Sequence, residues 1–302
     1  MTAAGARNAL DLIFSGAGGR TVLTRRRYRW PLLIGRVFPD TAQPRAGVVT
    51  IQNAAGTIIP GDVIRQRIEV VESGYAVVGG QGATVVSGVA GGDLAEEETY
   101  LRVDAHSGLV FDTPPRIITA YARYRQRTHL YAEHGARAVL VDAVVLHPDL
   151  QDANFGSYES SVAIHADDGS LLALDTQFLA AMPRVLRSPK AFATLYIVGR
   201  TDDPAVPTAL LDIERLTVMT SDASVYIGVS DLPNGAGWAV RIASHDGGRL
   251  RATISWAVRT IRAAQQPPRD PQHPVRNGCS GRMRDRGGAA LSRWAELGRE
   301  VG

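Results

Sequence analysis

Up to about residue 200, apolar and polar positions alternate in short stretches broken by Gly, Pro, Asn and Asp. Gly47-Val-Val-Thr-Ile-Gln52, Gly82-Ala-Thr-Val-Val86, Val162-Ala-Ile-His-Ala166 and Thr194-Leu-Tyr-Ile-Val198 are examples. Such segments at roughly eight- to twelve-residue spacing predict an all-β sandwich, barrel or stacked-sheet architecture. No long apolar stripe of helical period occurs there, so residues 1–202 read as a β-rich body. Four turns in this region share one pattern: Val71-Glu-Ser-Gly74, Ala105-His-Ser-Gly108, Ala132-Glu-His-Gly135 and Ala166-Asp-Asp-Gly169. Glycine after a polar pair suits a hairpin turn that needs positive φ. The glycines are 34, 27 and 34 residues apart, about one hairpin plus its connection. Stacked two-stranded layers would give that period, as in a β-helix. Ordinary hairpins in an ordinary sandwich would give it too.

The pattern changes at about residue 203. From Asp203 to Leu216 the apolar positions 206, 209/210, 213 and 216 share one helical face, with Asp203 as cap and Pro204 at the first position. Ser224-Val-Tyr-Ile-Gly-Val229 and Gly237-Trp-Ala-Val-Arg-Ile242 then alternate like strands, joined through Pro233-Asn-Gly235. A second helix is predicted over about 246–264, with Leu250, Ile254, Ala257/Val258 and Ile261 on one face. Residues 203–265 therefore form a small α+β segment with two helices. Four prolines lie within 265–274, and 278–288 is rich in Arg and Gly. Residues 266–302 are predicted to be a disordered tail.

Composition narrows the class. The chain has 302 residues, 45% hydrophobic and 21% charged, which excludes disorder throughout. Its one cysteine, Cys279, excludes an intramolecular disulfide framework. The longest apolar runs, such as Ala138–Leu146, fall well short of the ~18 residues of a membrane span. The N-terminus lacks the apolar core of a signal peptide. A soluble protein of a reducing compartment, the cytoplasm, is expected, with no membrane partner. Lys190 is the only lysine, which reflects codon bias before function. Residues 269–302 carry seven arginines against four acids, a surplus equal to the whole net charge of +3. The rest of the chain is neutral, so nucleic acid is not an expected partner.

Catalytic signatures are missing. There is no nucleophile elbow, P-loop, dinucleotide fingerprint, His-Glu-x-x-His or Cys-x-x-Cys. No enzyme is predicted, and a carboxylate-pair hydrolase would need two acids ~5–10 Å apart in an open cleft, which nothing here indicates. The unusual feature is acid inside apolar strands: Asp142 within Ala138–Leu146, Asp175 within Leu171-Leu-Ala-Leu-Asp-Thr176, and Asp62 before Val63-Ile64. A buried unpaired carboxylate is very costly. Such groups pair with arginine or cap a turn, or else they line a wet cavity or bind a cation. Asp62, after Pro-Gly, is the most turn-like. The alternative is a polar conduit, or weak metal relay, through an apolar body; carboxylates hold a divalent transition metal more loosely than imidazole or thiolate.

The order of these pieces resembles the urease accessory protein D family, called H in some organisms. Gly18-Gly-Arg-Thr-Val-Leu-Thr-Arg-Arg-Arg-Tyr-Arg-Trp-Pro-Leu32 is similar to the family's opening "GG-[RK]-T-x-L … G-P-L", with Trp30 for glycine. Ala55-Gly-Thr-Ile-Ile-Pro-Gly-Asp62 falls where the family reads "GGIVGGD", matching at Gly56, Ile58, Gly61 and Asp62. Gln81-Gly-Ala-Thr84 lies at "PGA-[ST]-K", and the strands ending in Asp142 and Asp175 match two acid-bearing strands. The family's "EWLPQE" is replaced by Val110-Phe-Asp-Thr-Pro-Pro115. The resemblance covers residues 8 to about 265. It implies a fold of two stacked sheets with helix-like β-winding plus a small helical part. It also implies a non-enzymatic cytoplasmic scaffold in nickel-dependent maturation of urease. The implied partners are the urease apoprotein, a helical accessory protein F and, through it, a GTPase G. Nickel is implied as a weakly held traveller in an internal tunnel, with nothing permanently bound; Asp62, Asp142 and Asp175 match metal-transit positions and Thr84 a tunnel-lining one. The competing reading is a β-rich binding or structural module for carbohydrate or protein. With only 6% aromatic residues, the chain offers few stacking platforms for sugars.

Overall fold

The computed structural model describes residues 8–182, 189–199, 204–219 and 225–265, with backbone only for 216–219. The chain opens with β1 (Leu10–Ala17), β2 (Arg20–Tyr28), β3 (Leu32–Ile34), β4 (Phe38–Pro39), β5 (Gly47–Asn53) and β6 (Thr57–Ile58). It continues through β7 (Val63–Val71), β8 (Tyr75–Gly80), β9 (Thr84–Val86), β10 (Ala95–Val103), β11 (Gly108–Asp112), β12 (Arg116–Ile118) and β13 (Arg123–Ala132). Next come β14 (Arg137–Leu146), β15 (Ser157–His165), β16 (Leu171–Leu179) and β17 (Ala191–Val198). Helix α1 (Ala205–Met219), β18 (Val225–Asp231), β19 (Gly237–Ser244) and helix α2 (Gly247–Ala264) follow.

The strands form two sheets. The first has the order β16-β15-β13-β10-β7-β1-β2, and the main path of the second is β18-β19-β17-β14-β11-β8-β5-β3. The chain winds between them. β7, β10 and β13 lie in the first sheet, and each is followed directly by a strand of the second: β8, β11 and β14. Parallel ladders result, β1–β7–β10–β13–β15 on one side and β5–β8–β11–β14 on the other. This is a solenoid-like stack, the mainly β architecture expected.

Three of the four patterned turns are corners rather than hairpins. Those ending at Gly74, Gly108 and Gly135 carry the chain from one sheet to the other, and only Ala166–Gly169 closes an antiparallel hairpin, between β15 and β16. A polar pair followed by glycine serves both geometries, and its spacing does not reveal which sheet the next strand joins. Positive φ is carried by Glu72, Ser73 and His106 at the first two corners, by Gly135 and Gly169 at the others. Gly108 is needed for packing instead: a Cβ there would stand 2.4 Å from the Tyr75 ring.

Both faces of the second sheet are covered, which explains the apolar run 138–146. Ala138, Leu140, Val144 and Leu146 point into the core between the sheets, while Val139, Val141 and Ala143 belong to a second core beneath the helices. A strand buried on both sides reads as continuous hydrophobicity. The predicted helices are present. Val206, Ala209, Leu210 and Ile213 of α1 are buried, as are Leu250, Ile254, Ala257, Val258 and Ile261 of α2. Each fully buried Leu or Ile contributes about 1.5–3 kcal/mol. Asp246 caps α2, its carboxylate accepting from the Arg249 amide at 2.7 Å. The Pro233–Gly235 turn joins β18 to β19 as expected. The Asp203 cap, the Leu216 side chain and the tail 266–302 lie outside the described residues. No helix among those described is long and apolar enough to cross a membrane.

Candidate functional site

A seam of polar side chains runs across the core between the two sheets. On the first sheet, register places Glu97, Gln126, Ser160 and Gln177 side by side across β10, β13, β15 and β16. The adjoining row is Gln66, Thr99, Thr128, Val162 and Asp175. On the facing sheet Asp142, Thr194 and Arg241 are side by side across β14, β17 and β19. Strands stand ~4.8 Å apart, so the seam spans on the order of 15–20 Å. Pleating delivers these groups inward: Glu97 has the parity of Leu101 and Val103, Asp142 that of Leu140 and Val144.

At one end Glu97 and Arg116 form a buried pair, 4% and 9% exposed. Arg116 Nε and Nη2 donate to the two carboxylate oxygens at 2.9 and 2.7 Å. Gln66 Nε2 and the Tyr124 hydroxyl add donors at 2.7 and 2.6 Å. Burial alone would push the Glu97 carboxyl up. The Arg116 charge and these hydrogen bonds outweigh it, so the carboxyl lies below its ordinary value. Arg116 Nη1 also reaches the Pro114 carbonyl at 3.0 Å.

In the middle, Asp142 is 6% exposed and has only neutral donors. Gln126 Nε2 gives to Oδ1 at 3.0 Å and Ser160 Oγ to Oδ2 at 2.6 Å. Here burial wins and the carboxyl is raised, the two hydrogen bonds and the more distant Arg116 offsetting it in part. At the far end Gln177 Nε2 gives to Thr194 Oγ1 at 3.2 Å. Asp175 Oδ2 accepts from Arg241 at 2.8 Å and the Tyr196 hydroxyl at 3.0 Å. Burial first, then the Asp142 and Asp175 charges, pushes the Tyr196 hydroxyl far up.

Cavities follow the seam. One of about 40 Å³ is lined by Gln66, Gly80, Gly82 and Thr84 together with Glu97, Thr113 and Arg116. It sits where second-sheet strands break, between β5 and β6, β8 and β9, and β11 and β12, whereas β14 runs through unbroken. A second, of about 10 Å³, shares Glu97, Thr113 and Arg116 and adds Gln126 and Asp142. Roughly 10–15 Å³ of such space holds one water, so the first is hydrated by volume and the second is near the limit. An open groove of about 430 Å³ at the other end is lined by Gln177, Thr194 and Arg241 with Phe192 and Tyr226.

Of the residues singled out in the sequence, Thr84 lines the first cavity, Asp142 the second, and Asp175 is ion-paired in the far part of the seam. Asp62 stands apart on a turn, its Oδ2 accepting the Ile59 amide at 2.9 Å. Sequence reasoning missed Glu97 and Arg116. Glu97 hides between Glu96 and Glu98 in what reads as a solvated run; its parity with Leu101 and Val103 was the available signal. Among the described residues, no three or more His, Cys, Asp or Glu side chains converge as a metal centre. The seam offers isolated hard oxygen donors within an apolar body, able to solvate a cation but not to chelate it tightly.

Comparison with known proteins gives a consistent answer. The family model described as UreD urease accessory protein matches residues 6–274. The urease accessory protein UreD of Mycolicibacterium smegmatis is 57% identical over 248 residues, 82% of this chain and 88% of that protein. The urease accessory protein UreD 2 of Bradyrhizobium sp. (strain BTAi1) is 32% identical over 270 residues, covering 85% and 93%. The haloarchaeal UreD of Haloarcula marismortui is 27% identical over 257 residues, 83% and 84% of the two chains.

Proposed function

The chain belongs to the UreD family of urease accessory proteins, and on that premise we propose that it is a non-enzymatic scaffold that helps insert nickel into the urease apoprotein. It works in the cytoplasm, on the apoprotein and with accessory protein F, which brings the GTPase G. Nickel is cargo, held weakly and released. The observation that supports this reading is the seam: Asp142, with no cation beside it, faces a polar cavity inside a core that is otherwise apolar. Acidic groups with low-dielectric walls concentrate cations, and lone carboxylates let them go. Asp142 supplies unpaired charge along the path, Asp175 a carboxylate shared with Arg241, and Thr84 lines the small cavity at the end away from the open groove. Asp62 lies on a turn outside these cavities and plays no part in the path.

The test is Asp142→Asn/Asp175→Asn, which removes both charges and keeps shape, with one acceptor oxygen of each carboxylate replaced by an amide donor. Urease activation in a reconstituted or co-expressed system should fall several-fold while the melting transition of the purified variant stays cooperative. Normal activation by the folded variant would remove the path.

A further inference from the structure

The charge of the seam is unsuited to a cation at one place. Glu97, Arg116 and Thr113 line both small cavities, so they form the wall between them. At that wall the Arg116 guanidinium covers both oxygens of Glu97. A divalent cation crossing there meets a fixed positive charge and a carboxylate already neutralised, while the next acid, Asp142, lies beyond. Arg116 also starts β12 just after the break at 113–115, and its Nη1 donates to the Pro114 carbonyl of that break. On its open side lies the larger cavity, with Gly80 and Gly82 contributing no side chains to the wall. Glu97 without Arg116 would keep the Gln66 and Tyr124 donors.

We propose that Arg116 is a stopper: its guanidinium closes the seam between the two cavities, and a divalent cation passes Glu97 only when that group turns away into the larger cavity. Glu97 is then a masked cation-binding position, exposed by the movement of one side chain. This rests on the seam being a path for metal. The isolated chain is a closed conduit, and opening it falls to whatever displaces Arg116.

The experiment measures nickel(II) binding to the purified full chain by competition with a metal-sensitive indicator, with melting curves taken alongside. Arg116→Met should bind nickel at least tenfold more tightly than the unmodified chain, and nickel should raise its melting temperature. Glu97→Gln/Arg116→Met should lose both effects. Where Arg116→Met does not fold without metal, Arg116→Gln decides: it keeps a hydrogen-bond donor beside Glu97 without the charge, and should bind nickel about threefold more tightly, a gain that Glu97→Gln/Arg116→Gln abolishes. Unchanged affinity in a folded Arg116 variant, or enhanced binding that survives loss of Glu97, overturns the stopper. Failure of the path itself reads differently: Asp142→Asn/Asp175→Asn would activate urease normally while Arg116→Met still gained nickel through Glu97.

Discussion

Glu97 and Asp142 are two carboxylates in the same core, 4% and 6% exposed, and their protons are displaced in opposite directions. Glu97 is held ionised, Asp142 is pushed toward its neutral form. Depth does not separate them; donors do. A guanidinium ~4 Å away is worth about 4 kcal/mol at an effective dielectric of 20, against ~0.5–1.5 kcal/mol net for a neutral hydrogen bond. An arginine, with the Tyr124 and Gln66 donors, overcomes burial at Glu97, whereas at Asp142 a glutamine and a serine do not overcome burial and the Asp175 charge together. The seam thus joins an electrically closed end to an open one.

The sharpest way to break this contrast is to strip the closed end of its cation. Arg116→Met leaves Glu97 buried without its counter-charge and should cost about 3–5 kcal/mol in urea unfolding. Adding Glu97→Gln should recover most of that loss, because a neutral pair of similar volume replaces the ion pair. A double variant no more stable than the single one would mean that Arg116 acts through packing rather than charge.

Acid and base should act on the two ends with opposite sign. For Glu97 the folded value lies below its ordinary 4.5, so its contribution is complete above that pH and is lost as pH falls through the lowered value. For Asp142 the folded value lies above its ordinary 3.8. The unfolded chain then ionises first, and stability falls as pH rises from 3.8 toward the raised value, by about 1.4 kcal/mol per unit of displacement. Asp142→Asn should remove this decline, so its advantage over the unmodified chain grows across that window and then levels off. Glu97→Gln/Arg116→Met should instead lose the acid sensitivity below pH 4.5. Denaturant titrations from pH 3 to 8, in steps of about one unit, check both. Parallel profiles for the two variants would erase the distinction between the ends.

Much of this was legible in the sequence because alternation and turn chemistry are local. The strands, both helices and the Pro233–Gly235 turn follow from patterns within a dozen residues. Winding did not, since Val71–Gly74 and Ala166–Gly169 look alike while one changes sheet and the other reverses within it. The same limit governs the seam. Asp142 stood out because its strand is buried on both faces and leaves an acid conspicuous. Glu97 did not, because β10 faces solvent on one side and its outward neighbours Glu96 and Glu98 are acidic as well. Arg116 is a single polar residue after a Pro-Pro break, and its partner lies 19 positions away on the opposite sheet. Pairings that cross the core depend on the stacking of the coils, which no window along the chain contains.

Asp62 makes the mildest test, because it shares the sequence signature of the other acids but not their setting. It sits on a turn and spends Oδ2 on the Ile59 amide, the role of a backbone cap. Asp62→Ala should cost about 0.5–1 kcal/mol, the value of one such bond, and leave both nickel binding and urease activation at the level of the unmodified chain. Asp142→Asn should show the reverse, little or no loss of stability near neutral pH with impaired activation, since what it removes is charge in the open part of the seam. Impaired activation in a fully folded Asp62→Ala would extend the path to that turn, placing its entrance outside the cavity lined by Thr84 and making the acids on the surface as important as those within.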